Sequence, residues 1–343
     1  MKEFGSDFHL IDSYNSGRLY LTDVHRDAIL MADGRQSLVI LIRQEGWRRL
    51  WIPEYFCYEV IETVRLQTGI DIVSYPDFPL ADDRMLLRHL PFKDGDALLR
   101  INYFGRRGYR SNIDIPVPVI EDHSHDLFGE WARMSDADWC VVSLRKTLPI
   151  AGGGAIWSPK GHLLPMNLSE TNECKKMMSL RWKAMEMKAD YLSGKVIRKD
   201  DYRKLYAETE EWFDKADASG IDERSKKVIN GLDILAWNKA KQRNWNLLND
   251  MLSNVVQVLQ PERTWCNVFS FVFLTESRKK REILRRRLIE RSVYPAILWH
   301  MPETVSKEVQ NFGCRMLSIH CDGRYSEDDM RQLAEKIQQS LES

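Results

Sequence analysis

The chain has 343 residues, with 50 Lys and Arg against 50 Asp and Glu, so its formal net charge is zero. That balance offers no basic field to nucleic acid or to an anionic lipid surface. No apolar run approaches the roughly 18 residues of a membrane span, and the start, MKEFGSDFHLID, is polar, without the apolar core of a signal peptide. Six cysteines, at positions 57, 140, 174, 266, 314 and 321, form no CxxC pair. They read as reduced, mostly buried thiols of a cytoplasmic protein rather than zinc ligands or a disulfide framework.

In chain order, GRQSLVILIRQEG has helical spacing and RLWIP is a short strand. YEVIETVRLQTG reads as a helix and DIVSY as a strand. DALLRINYF, VPVIED, WCVVS and GGAIWSP follow as further strands. This alternation predicts crossover units and a mixed, mostly parallel sheet, an α/β fold. Residues 170–250 are helical by period, and the charged stretch RKDDYRKLYAETEEWFDKAD reads as a solvated helix face. Then come a strand in NVFSFVFL, an Arg-rich helix in RKKREILRRRLIERS, extended VYPAILW, a strand in RMLSIHC and a C-terminal helix opening with Ser326. The length suits about two domains. They are expected over 1–235, an N-terminal segment plus the large domain, and 236–343, a smaller α+β domain.

VIEDHSHD (119–126) ends a strand in a cluster of ionisable groups. One strand further on, VVSLRKTLPIAGGG carries Ser143, then Lys146 in a loop before a glycine turn. Both strand ends fall at the polar end of the sheet, where open α/β sheets bind ligands. An aspartate and a lysine facing one crevice suit pyridoxal 5′-phosphate, with the lysine amine as its Schiff-base partner. The carboxylate would keep the pyridine nitrogen protonated. The phosphate needs N–H groups at a helix start and hydroxyl donors. The turn Gly34–Arg35–Gln36 offers the first and Ser143 the second, while Tyr55 or Phe56 could cover one ring face and His125 the other. Cys57 lies near that face without an evident chemical use, and Arg324 in CDGRY could meet an anion or form a surface salt bridge.

The run PVIEDHSHDLFG…WCVVSLRKTLPIAGGGAIWSP resembles the DegT/StrS-type aminotransferases of the fold type I pyridoxal phosphate enzymes. GRQSL, WIPEYFCYEV, INYFGRRG and LSIHCDGRYSEDDM match in order, so the resemblance spans roughly residues 30–330. It implies Lys146 and Asp122 as the catalytic pair. It also implies Gly34, Arg35, Gln36, Tyr55, Phe56, His125 and Ser143 as further cofactor-binding positions, and no metal. It implies transfer of an amino group from an amino acid, glutamate foremost, to a keto acceptor such as a nucleotide-linked keto sugar. A homodimer with the active site at its interface is implied too. Two departures mark a compact branch: the Ser143–Lys146 interval is short, and the Asn-Tyr-Arg segment that reaches the partner's phosphate site is not visible.

Three other readings compete. His-x-His in HSHD could begin a metal site, but the remaining histidines lack a second clustered pair. A silent fold that only binds would have no need of Lys146 and Asp122. A lyase or dehydratase on the same fold would use the same residues as a transaminase.

Overall fold

Seven strands form the central sheet of the computed structural model, which describes residues 2–11, 19–263 and 267–342. In spatial order they are Ile29–Met31, Gly154–Trp157, Trp139–Ser143, Val119–Asp122, Asp96–Ile101, Arg49–Pro53 and Asp71–Tyr75. The last five run parallel, and Gly154–Trp157 is antiparallel to both of its neighbours. Val119–Asp122 and Trp139–Ser143 are buried at every residue, as strands covered on both faces must be. Register puts Ile101, Asp122 and Val141 side by side. The chain therefore leaves neighbouring strands at one edge of the sheet.

Each face of the sheet carries its own apolar cluster. Helices Gly34–Glu45 and Tyr58–Thr68 cover one face through Leu38, Leu41, Ile42, Ile61 and Val64. The helix of 34–45 ends where Gly46 takes a positive φ of 66°, a conformation that glycine adopts without a Cβ clash. Asn172–Leu192 and Lys199–Lys215 pack on one another and on the other face, through Met178, Trp182, Tyr206 and Phe213. The latter helix corrects one expectation. Its charged run is solvated only in part, because Glu210 and Asp214 form ion pairs with Arg35, Arg145 and Arg181.

A three-stranded antiparallel sheet, Met316–Ile319, Phe271–Leu274 and Gln257–Val258, forms a third cluster with helices Arg278–Glu290 and Glu327–Glu342. Helix Ile234–Leu252 spans the division expected at residue 236. Ile234 and Trp237 pack in the cluster of helices Asn172–Leu192 and Lys199–Lys215 against the central sheet, whereas Trp245, Leu248 and Leu252 pack with the small sheet. The chain's first strand, Phe4–Gly5, pairs in parallel with Val293–Tyr294 and carries the N-terminal segment across to the strand ends. Strand Ile29–Met31 and the helices Asp83–Leu87, Glu130–Met134 and Lys307–Arg315 were not expected. Three to five residues are too few for periodicity to register, and Gly313 weakens the helical signal of the longest.

Among the described residues no disulfide forms; Cys140, Cys174 and Cys321 are buried, and Cys57 and Cys314 are partly so. Cys266 lies outside the described residues. The Arg324 side chain is buried, not a surface charge, and donates to both oxygens of Asp322 at 2.9 Å. Among the described residues no helix is long and apolar enough to cross a membrane.

Candidate active site

A cavity of about 600 Å³ opens at the ends of the strands Val119–Asp122 and Trp139–Ser143. Gly34, Arg35, Phe56, Asp122, His125, Ser143 and Lys146 all line it. One residue unseen in the sequence aligns the two strand ends. The Ser124 N–H donates to Asp122 Oδ1 (2.8 Å), and Ser124 Oγ accepts the Ser143 N–H (2.9 Å). Its carbonyl accepts from Thr147 Oγ1 at 3.2 Å. Ser124 thus clips the Asp122 turn to the segment that carries Lys146. Oδ2 of Asp122 takes no hydrogen bond among the described residues.

Gly34 starts its helix directly against Ser143: a Cβ there would sit 2.8 Å from Ser143 Cα. Only glycine allows this approach, which brings free N–H groups of a 12-residue helix beside the Ser143 hydroxyl. Ser143 Oγ is buried and has no hydrogen-bond partner among the described residues. A buried hydroxyl left unpaired costs free energy unless a ligand satisfies it.

His125 is stacked among rings, 4.3 Å from Phe269 and 5.5 Å from Trp299 by ring centroids. The Phe104 N–H donates to its Nδ1 (3.3 Å), which leaves the proton on Nε2, a buried atom with no partner among the described residues. Burial, reinforced by Lys146 nearby, holds His125 well below the usual histidine range, so the ring is neutral. Trp299 also lies 5.5 Å from the Lys146 Nζ. Burial pushes the Cys57 thiol up to about 11, which removes it as a nucleophile at neutral pH.

Two candidate side chains sit elsewhere, although the Gln36 N–H still belongs to the helix start. Tyr55 is buried in the core, its hydroxyl donating to the Leu298 carbonyl and its ring against Tyr103 and Phe312. Phe56, not Tyr55, faces the cavity. The side chain of Gln36 accepts the Ser219 N–H at 3.2 Å, away from the cavity wall. The two histidines of HSHD also part company, because the strand ends at Asp122 and the alternation of side chains ends with it. His123 lies with Glu121 and Cys140, the one group among the described residues close enough to hold a metal ion. Glu121 is already engaged by Asn112 and Trp131 on one oxygen and by Ser135 and His123 on the other, which accounts for its burial without an ion.

The wall beside Gly34 gathers Arg35, a candidate from the sequence, with two arginines that the sequence did not single out, Arg145 and Arg181. Arg145 donates to Glu210 (2.6 Å) and lies 3.6 Å from Asp33. Arg35 pairs with Asp33 (3.0 Å) and with Asp214, and Arg181 with Glu210 (3.2 Å). Arg145 adjoins Lys146 and was within reach of local reading; Arg181 and Glu210 come from helices far along the chain.

The cavity fits pyridoxal phosphate by its donor set. It offers a lysine, a carboxylate with a free oxygen, and a flat neutral ring. It also offers a helix start beside an unpartnered hydroxyl. The fold is that of fold type I pyridoxal phosphate-dependent aminotransferases. Spr1654 from Streptococcus pneumoniae, assigned as a sugar aminotransferase and solved in a PMP form, superposes with a TM-score of 0.65 at 10% identity, over 96% of this chain and 94% of that one. A DegT DnrJ EryC1 StrS aminotransferase from Brucella abortus gives 0.62 at 14% identity, covering 96% and 92%. DesI, solved with its TDP-sugar product, gives 0.60 at 14%, covering 94% and 83%. The sequence itself matches no family model and no curated protein.

Proposed function

We propose that this protein is a pyridoxal 5′-phosphate-dependent aminotransferase that moves an amino group from an amino acid, glutamate foremost, to a nucleotide-linked keto sugar. We further propose that it works as a homodimer. One observation carries the reading: Asp122 and Lys146 line a single cavity in which the Gly34 helix start meets the unpartnered Ser143 hydroxyl. One neighbour in fold assigned as a sugar aminotransferase, and another solved with its TDP-sugar product, support the substrate class.

Bound there, the cofactor supplies an electron sink and a store for the amino nitrogen. The chain's residues divide the remaining work. Lys146, the only lysine on the cavity wall among the described residues, anchors the cofactor and moves the proton at the donor's α-carbon. Asp122, with Oδ2 free, would face the pyridine nitrogen and keep it protonated, and Ser124 holds its other oxygen. His125 offers a flat, neutral ring face that aromatic neighbours keep from rotating. Ser143 and the helix start receive the phosphate.

Borohydride reduction of the protein loaded with pyridoxal phosphate, followed by peptide mapping, tests the anchor; one modified peptide, containing Lys146, is expected. In a separate sample that has not been reduced, excess glutamate without acceptor should release one 2-oxoglutarate per site and leave pyridoxamine phosphate behind. If no amino donor does this while the cofactor remains attached to Lys146, transamination is wrong and a lyase reading takes its place.

A further inference from the structure

The arginine wall has a charge problem that points to how the site takes its ligand. Three guanidiniums, Arg35, Arg145 and Arg181, face four carboxylates, Asp33, Glu210, Asp214 and Asp7, the last 3.7 Å from Arg181 on the N-terminal segment. Acids outnumber bases, so the wall as it stands has no spare positive charge for a phosphate dianion. Yet its other parts point to an anion: the start of a 12-residue helix, the buried Ser143 Oγ without a partner, and Arg145 Nε without a hydrogen bond.

The acids are not equivalent. The Asp33 side chain is 2% exposed, whereas Glu210 and Asp214 are 43% and 41% exposed, and Asp7, 48% exposed, pairs with only Arg181 of the three guanidiniums. Asp33 is locked in place. Glu210 and Asp214 hold buried guanidiniums from the wet side, and their heads can turn into water without being stranded. A buried guanidinium needs a counter-charge, but a carboxylate and a phosphate serve equally well, and the fork of arginine accepts either in bidentate fashion.

We infer that Arg35 and Arg145 form a phosphate-monoester subsite that works by exchange, in which Glu210 and Asp214 occupy the guanidiniums until the phosphate takes their place. This rests on the reading of the cavity as a pyridoxal phosphate site. It adds that the phosphate is neutralised by arginines of its own chain, and that two carboxylates of helix Lys199–Lys215 compete with it.

The test uses the full chain and the variant Glu210→Gln/Asp214→Asn, with both changes at half-exposed positions. Binding of pyridoxal 5′-phosphate, of inorganic phosphate and of pyridoxal without its phosphate is measured by calorimetry. The two phosphate ligands should tighten about tenfold, as removal of competing charges predicts, and pyridoxal should not change. Arg145→Lys, which keeps the charge but loses the fork, should weaken the phosphate ligands alone. Equal affinity for phosphate in wild type and double variant would overturn the exchange, and so would an equal gain for pyridoxal. Borohydride trapping on the same samples separates the two ideas. If Lys146 is trapped but phosphate affinity does not move, the exchange fails and the cofactor reading stands. If phosphate tightens as expected but nothing is trapped on Lys146, the subsite stands and belongs to another phosphorylated ligand.

Discussion

The segment after strand Asp96–Ile101 and the cavity wall beside Gly34 both gather arginines around carboxylates, and they differ in what covers the acids. In the first, Arg107 grips both oxygens of Asp77 (2.6 and 3.0 Å), and Arg100 and Arg110 take Asp83 at 2.6 and 3.0 Å. All five side chains are buried, Arg107 also donates to the carbonyls of Phe78 and Ala81, and only Arg110 reaches an open acid, Glu262, at 2.7 and 2.8 Å. In the second, the guanidiniums are buried but three of their four acids are half in water. Around Arg107 and Asp77 the network is closed: it has nothing to exchange and can only hold the chain in place. A network sealed on one side and wet on the other keeps its cations ready for a different anion. Exposure of the acids, more than the number of ion pairs, separates a structural lock from a binding wall.

The comparison breaks most directly at Arg107. Its truncation, Arg107→Ala, strands Asp77 in the interior and should cost about 3–5 kcal/mol of stability in urea unfolding. Phosphate binding by the molecules that remain folded should not change. A loss below about 1 kcal/mol would mean that the network is not closed in solution.

Asp122→Asn should act in the opposite way, on chemistry and not on folding. The amide can still accept the Ser124 N–H but carries no charge. A fall in kcat of about 100-fold, or roughly 2.7 kcal/mol, is expected with little change in KM or in the urea midpoint. Wild-type kinetics would remove Asp122 from the reaction.

Asp126, buried behind His125, tests how the interior treats an acid with no cation in contact. Burial, opposed by the bond from Asn102 (2.7 Å), pushes its carboxyl up to about 7. The unfolded chain ionises this group near pH 4, so its favourable contribution is complete below that pH and is lost as pH rises through about 7. Asp126→Asn should flatten this decline and gain about 1–2 kcal/mol at pH 8, with no gain at pH 4. A parallel pH profile for the variant would show that Asp126 ionises normally.

The smallest effect is expected at Glu210. Burial works against its charge, but Arg145, Arg181 and Arg35 together hold the carboxyl down to about 2. Its contribution is therefore present above the usual glutamate range and lost as pH falls toward 2. Because the side chain is 43% exposed, solvent screens most of this. Glu210→Gln without phosphate should cost no more than about 1 kcal/mol in urea unfolding. A cost as large as that of Arg107→Ala would erase the distinction between the two walls.

Much of the site was legible because its chemistry is concentrated in two short runs. The spacing from Asp122 to Ser143 and Lys146 follows from adjacent strands that end at one edge, and alternation of strands and helices suffices to infer that edge. The pair Tyr55 and Phe56 shows the limit. The two are neighbours, both aromatic and both buried, and sequence could not say which faces the cavity. Successive side chains leave an extended backbone in opposite directions, so the choice depends on where the strand stops. The charged run of 199–215 misled for a related reason: helical period marks an apolar stripe, but it does not reveal that acids flanking the stripe will find arginines.

By itself the sequence determined the order of strands and helices, the polar edge, and the lysine, aspartate and serine placed there, because those depend on local period and on contacts between adjoining strands. Tertiary structure alone decided the rest of the cavity. Arg181, Glu210, Phe269 and Trp299 reach it from helices and loops at least 35 residues beyond Lys146, and Ser124 became a clip only when two strand ends came into register. Periodicity records which face of an element is buried; it carries no record of which distant element will cover it, and the environment of Lys146 is built from such distant elements.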